Sequence, residues 1–340
     1  MSYKKYLTLF LVGTILIPSS ILLINITFDP LWYFAGNNVG QYNYSFNERV
    51  SKLNLLRNKD IDCLILGSSR TTFIKASKIS NATCFNIAFS AGRVEEFVRF
   101  AEFLKEELPS NLKYLVIGVD GGNFLSASAD IAAKPIQSTS FLPSYLSIDT
   151  LLFSFRLFQE EQILPRVYNH NFEVELAGEI PVFDPNKPLE GAIFGHYKPE
   201  KFNQYLQLVD ILKPENVLFY VPPLSAWHIA DMMNKNILSD YLDFIYKFPL
   251  AGYSMIDYSV VSKMTLNIDN TYDGHHFVPA VNDLITTDIN HYFSKQFELS
   301  ADFGVALDNL SFEQYQRIYK QRLDKAANVI SSTAKLKDQK

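Results

Sequence analysis

The chain opens on an apolar run, residues 6–28, that carries no charge over 23 positions. At about 1.5 Å per residue, a helix of that length crosses the roughly 30 Å core of a bilayer. Residues 31–58 are aromatic and Asn-rich, show no clear period, and read as a lead-in. From Ile61 onward, short apolar runs alternate with amphipathic stretches. The runs predict strands over 61–66, 83–88, 113–119 and 216–221, with a last one over 254–258. The 3.6-residue pattern predicts helices over 70–77, 93–108, 201–212, 225–246 and 278–293. This alternation predicts a parallel sheet covered on both faces, a three-layer α/β/α sandwich behind one transmembrane helix.

Residues 121–197 break the rhythm and are punctuated by Pro135, Pro143, Pro165, Pro181, Pro185 and Pro188. They read as an insertion over the sheet, helical around 150–161, of the kind that forms a lid or substrate wall. An amphipathic helix over 312–335 either packs on the domain or lies free. The expected division is an anchor over 1–30, a lead-in over 31–58, an α/β domain over 59–298 with its insertion, and a tail over 299–340.

Lys4 and Lys5 precede the apolar run, and the next Lys or Arg is Arg49. The positive-inside bias keeps the N-terminus in the cytoplasm and sends the rest across. A cleaved signal peptide is the alternative. The length of the run opposes it, as does the exit Asn25-Ile26-Thr27-Phe28-Asp29-Pro30, which lacks a small-x-small site. Pro18 within the run is tolerable in a membrane helix, with a kink. The expectation is a single-pass protein with a large extracytoplasmic domain.

Lys and Arg number 31 against 36 Asp and Glu, a net charge of −5. That balance argues against a nucleic-acid partner, which calls for a basic face. Two cysteines exclude a disulfide framework and a four-thiolate zinc site. Cys63 and Cys84 fall in the first two predicted strands. An oxidising exterior permits a bridge between them, but bridging adjacent parallel strands is awkward, so two buried thiols are expected.

Two segments carry candidate chemistry. Gly67-Ser68-Ser69-Arg70 follows the first strand, at the sheet edge where open α/β folds bind ligands. A serine there is a nucleophile or a helix N-cap. Asp273-Gly274-His275-His276 precedes the last predicted helix of the sheet domain. A carboxylate three positions before a histidine on one turn holds the imidazole in the tautomer of a general base. Asp273, His276 and Ser69 are thus a candidate triad. A surface turn and a zinc site are the alternatives, and His275 is expected to be exposed. Trp227 and His228 follow Pro222-Pro223 at the end of the fourth predicted strand, either to line a substrate site with Arg70 or to pack. No metal and no cofactor are expected.

The order serine, aspartate, histidine on an alternating chain resembles the SGNH (GDSL-like) hydrolase superfamily. Asn86-Ile87-Ala88-Phe89-Ser90-Ala91-Gly92 looks like its second block, and Gly118-Val119-Asp120-Gly121 like its third. The resemblance implies a flavodoxin-like sheet and an oxyanion hole from the backbone of Ser69 and of Ala91 or Gly92. Its oxyanion asparagine is replaced by Asp120, whose charge would oppose an oxyanion unless it is neutral, turned away, or relieved by Asn123. The Gly-Ser-Ser-Arg block is similar to that of membrane-anchored SGNH-like proteins of bacterial polysaccharide modification. This implies a serine esterase or O-acyltransferase acting on an acylated, O-acetylated surface glycan, with envelope assembly partners. The alternative is a non-catalytic scaffold or glycan-binding subunit of such an assembly.

Overall fold

Four consecutive buried apolar residues make the first strand, Cys63–Leu66, because a strand buried on both faces has no polar side to show. The computed structural model describes residues 2–37, 40–57, 59–108, 112–121, 140–159, 166–187, 189, 198–295, 299 and 302–335. Its strands are β1 Cys63–Leu66, β2 Cys84–Asn86, β3 Tyr114–Gly118, β4 Arg166–Tyr168, β5 Val174–Leu176, β6 Asn216–Val221, β7 Ser254–Asp257 and β8 Val305–Ala306. The chain divides into two units, Met1–Lys59 with Pro135–Ala177, and Asp60–Lys134 with Gly178–Lys340.

The larger unit holds a six-stranded sheet of order β2-β1-β3-β6-β7-β8. The first five strands are parallel and β8 is antiparallel to β7. The chain winds outward one way from β1 to β2 and then the other way through β3. β1 and β3 therefore flank a topological switch point, where flavodoxin-type sheets bind ligands at the carboxyl ends of their strands. Alternate residues point to opposite faces. Cys63, Ile65, Val116, Tyr220 and Ile256 share a core with Val281, Ile285 and Ile289 of helix Pro279–Phe293. On the other face Phe219 packs on Phe248 of helix Leu238–Leu250, with ring centroids 4.4 Å apart, and meets Tyr205 of helix Glu200–Leu212. Helices cover both faces, and the sandwich has three layers.

Several expectations change. Where a helix over 70–77 was predicted, the chain makes turns and one short 3-10 helix, Ala76–Lys78. The stretch 225–246 is two helices, Ala226–Asn234 and Leu238–Leu250, with left-handed Asn236 (φ 57°) between them. β7 is not the last strand. β8 covers its edge, and at two residues it is too short to leave a sequence signal. Of the two placements left open for helix Phe312–Lys335, the packed one holds: it buries Tyr315 and Tyr319, whose hydroxyls donate to Asp257 Oδ2 at 2.5 and 2.9 Å. Cys63 and Cys84 are not free thiols but a disulfide. The parallel register sets them directly opposite, with Cα atoms 4.2 Å apart, which brings the sulfurs within bonding reach.

The smaller unit contains the apolar helix Tyr3–Phe28, long and apolar enough to cross a membrane. The lead-in is not irregular throughout: helix Glu48–Leu56 is capped by Asn47, whose side chain accepts from Val50 N–H. After Phe28 the chain reverses at Asp29 (φ 41°). The Asp29 carboxylate collects the N–H groups of Tyr33, Phe34, Ala35 and Gly36 at 2.8 to 3.1 Å, and the Tyr145 hydroxyl also donates to it. Helices Phe141–Tyr145 and Ile148–Phe158 and the β4–β5 hairpin complete the unit. The described part of the insertion up to Leu176 therefore folds with the N-terminal segment, while the stretch from Gly178 belongs to the sheet unit.

Candidate active site

Ser69 stands on the turn after β1, half-buried. The turn is tight because Thr71 fills the space between two glycines. A Cβ on Gly67 would sit 2.2 Å from Thr71 Oγ1, and one on Gly118 would sit 2.1 Å from it. Tyr220 of β6 donates its hydroxyl to Thr71 Oγ1 at 2.9 Å. From β2, Asn86 Nδ2 donates to the carbonyls of Thr71 (3.0 Å) and Ile74 (2.8 Å). Three strands thus fix the backbone that carries the serine.

Asp273 and His276 lie on the turn before helix Pro279–Phe293. Gly274 takes φ 88°, and a Cβ there would meet His228 Cε1 at 2.6 Å. Asp273 Oδ1 accepts from the backbone N–H groups of His275 (3.0 Å) and His276 (2.7 Å). Its Oδ2 is 2.6 Å from His276 Nδ1, and His276 Nε2 is 2.7 Å from Ser69 Oγ, across 207 residues of sequence. Burial alone would raise the Asp273 carboxyl. The hydrogen bond from His276 and the two neighbouring imidazoles outweigh it and hold the group below the usual carboxylate range. An ionised carboxylate only accepts, so Nδ1 carries the proton and Nε2 offers its lone pair to the serine hydroxyl. Tyr272 stacks on the His276 ring, with centroids 5.5 Å apart. Ser69, His276 and Asp273 have the connectivity of a nucleophile, a base and an orienting acid.

Asp120 does not stand as an unpaired anion. Its Oδ2 accepts from Ser68 Oγ at 2.5 Å and its Oδ1 pairs with Arg70 Nη1 at 2.9 Å. Arg70, expected to bind substrate, is 6% exposed and committed elsewhere. Its Nε donates to His275 O (3.1 Å) and its Nη2 to the carbonyls of Pro222 and Pro223 (2.9 Å each). One guanidinium ties the ends of β1, β3 and β6 to the histidine turn.

Trp227 and His228 are also buried, at 7% and 2% exposure. His228 Nδ1 is 2.9 Å from Ser225 Oγ, and its ring lies beneath Gly274 and beside His275. Trp227 packs on Phe183. His228 supports the histidine turn directly and Trp227 only through Phe183, whose ring lies against Gly274, and at these exposures neither lines an open substrate wall. His275 is not exposed either. Burial, and then the charge of His276, push its imidazole down to about 3.

Phe89 N–H donates to Gly67 O at 3.2 Å, which holds the second block against the serine turn. Gly92 was expected to serve an oxyanion, but its N–H donates to Phe89 O at 3.1 Å. Ala91 sits exposed in the left-handed region at φ 53°. Asn123 lies outside the described residues. Asp273, His275 and His276 offer ligand atoms within 4.8 Å of one another. Both ring nitrogens of His276 already face Ser69 and Asp273, and the buried His275 Nδ1, 3.4 Å from Asp273 Oδ1, makes no hydrogen bond. Metal binding would have to displace the triad contacts, since a zinc site needs at least three ligands.

The roles of Thr71 and Tyr220 and the acceptor carbonyls of Pro222 and Pro223 had no sequence signal. The nearest hint was a pair of strand-end glycines, Gly67 and Gly118, which implied that something bulky comes close. Compared with family models, curated proteins and solved structures, the chain matches none of them.

Proposed function

We propose that this protein is an SGNH-like serine esterase or O-acyltransferase that acts on an acylated, O-acetylated surface glycan. Residues 3–28 anchor it in a bacterial inner membrane and the sheet unit works in the periplasm. The observation that carries the reading is the 2.7 Å contact of Ser69 Oγ with His276 Nε2, backed by Asp273. In the reaction, Ser69 Oγ attacks the ester carbonyl and its proton passes to His276 Nε2. Asp273 stabilises the imidazolium without taking the proton. Backbone N–H groups of the serine turn and of Ala91 receive the oxyanion, each such donor contributing about 10²–10³ in rate. Collapse expels the sugar oxygen, which takes the proton from His276 and leaves an acyl-serine. Water or a second sugar hydroxyl, deprotonated by His276, then attacks the acyl-serine. Transfer of the acyl group to it regenerates Ser69.

The scaffold alternative drew on an ionised Asp120 facing the oxyanion. The Arg70–Asp120 pair gives that alternative no support. The deciding experiment is labelling with a fluorophosphonate. Wild type is expected to label at one site and Ser69→Ala to stay unlabelled. A wild-type chain that resists the probe sinks the catalytic reading. A periplasm-dependent reporter fused at the C-terminus should be active.

A further inference from the structure

Helix Ile148–Phe158 is inside out for a helix in water. Its buried positions are Thr150, Ser154 and Leu157, spaced i, i+4, i+7 on one face. Two of these are polar, and Ser154 Oγ donates to Asn25 Oδ1 at 2.8 Å. The opposite face carries Ile148, Leu152, Phe155 and Phe158, exposed by 68, 54, 49 and 70%. At about 100° per residue these four make one stripe roughly 120° wide. Leu142 extends it onto helix Phe141–Tyr145 at 55% exposure. The only charges between residues 141 and 159 are Asp149 and Arg156. A water-facing helix turns its apolar stripe inward, and an apolar surface this continuous marks a site that something apolar covers.

The position of the stripe names the occupant. It begins where the exposed apolar surface of helix Tyr3–Phe28 ends. Asn25 Nδ2 donates to Tyr145 O at 2.8 Å, and the Phe28 and Phe158 rings meet edge to face at 6.2 Å. Leu22 packs on the cluster of Leu31, Val50 and Tyr145. Eleven residues reach only about 16 Å, half a bilayer core, so this helix cannot cross. An apolar face on a short helix fixed to the end of a span belongs at the lipid boundary.

We propose that helices Phe141–Tyr145 and Ile148–Phe158 form a second membrane-contact element. It lies in the bilayer interface, with Leu142, Ile148, Leu152, Phe155 and Phe158 among the acyl chains. The inference rests on reading residues 3–28 as a membrane span. The span sets which side of the membrane the chain occupies, and this second contact fixes the height and tilt of the unit against the bilayer.

The test is photolabelling of the full chain in vesicles of phosphatidylcholine and phosphatidylglycerol carrying a diazirine on the acyl chain. Adducts are then mapped by peptide mass spectrometry. Adducts are expected within 3–28 and also on Leu152, Phe155 and Phe158. The double variant Leu152→Glu, Phe155→Glu is expected to lose the second set and keep the first. Wild-type adducts confined to 3–28 overturn the proposal and leave the span reading intact. Adducts in neither segment overturn both. The wild-type map decides even if the double variant fails to fold.

Discussion

Arg70 and Asp120 are ion-paired at 2.9 Å on either side of the serine turn, with 5% and 13% of their side chains exposed. Removing one member of a buried pair strands the other, at a cost of about 3–5 kcal/mol. Asp120→Ala is therefore expected to lower the melting temperature strongly and to weaken fluorophosphonate labelling. Asp120→Asn keeps an acceptor for Arg70 and should cost less. Arg70→Lys is expected to resemble Asp120→Ala, because one ammonium cannot reach His275, Pro222 and Asp120 together. Wild-type melting in Asp120→Ala contradicts the clamp.

Ala91 holds a left-handed backbone that disfavours any side chain by about 1–2 kcal/mol. Glycine removes that strain but brings about 0.5–1 kcal/mol of unfolded-state entropy. Ala91→Gly should thus stabilise by roughly 0.5–1 kcal/mol, a rise of about 2 °C, with labelling of Ser69 unchanged. Ala91→Val should destabilise. Calorimetry of the three proteins checks the order.

The Cys63–Cys84 bridge closes a loop of 21 residues. The chain-entropy contribution of such a loop is about 3 kcal/mol. The double variant Cys63→Ala, Cys84→Ala should melt lower by several degrees, and dithiothreitol should do the same to wild type. A reductant effect that persists in the double variant rules out this bridge as its source.

His275 is pushed down from 6.5 to about 3 in the folded chain. Between those values the unfolded chain binds a proton that the folded chain does not, so stability is full above about pH 6.5 and falls as the pH falls. Asp273, held low, loses its contribution only further into acid, below its unfolded value of 3.8. His275→Gln should flatten the melting temperature between pH 4 and 6.5. Its facing groups, Asp273, His276, His228 and Arg70, remain in place. Parallel curves for the two proteins show that His275 does not set the slope.

The sheet was legible because its strands are buried on both sides and written as apolar runs between glycines and prolines. Asp273 and His276 were legible because three-residue spacing on a turn is itself a geometry. Arg70 was misread, since nothing in a Gly-Ser-Ser-Arg string says that a guanidinium turns inward to three carbonyls. The disulfide was misread because register is a property of the paired strands, and a one-residue slip would have parted Cys63 from Cys84. That part of the insertion folds with the apolar helix was not legible, because Asn25 and Ser154, which join them, lie 129 residues apart and each looks ordinary alone.

Asp257, at the end of β7, is reached by the hydroxyls of Tyr315 and Tyr319, and β8 covers the edge of its strand. Ser69, Asp273 and His276 all come earlier in the chain. Synthesis therefore delivers the reacting residues before the residues that finish their sheet. A chain stopped after helix Pro279–Phe293 would possess every catalytic side chain, an open strand edge and a buried Asp257 carboxylate that keeps its Ser259 donors on Oδ1 but lacks the two tyrosine donors on Oδ2. Such a product is prone to pairing with other chains and to proteolysis. Purifying selection should consequently weigh on Tyr315 and Tyr319 as it does on the triad, although neither residue touches it.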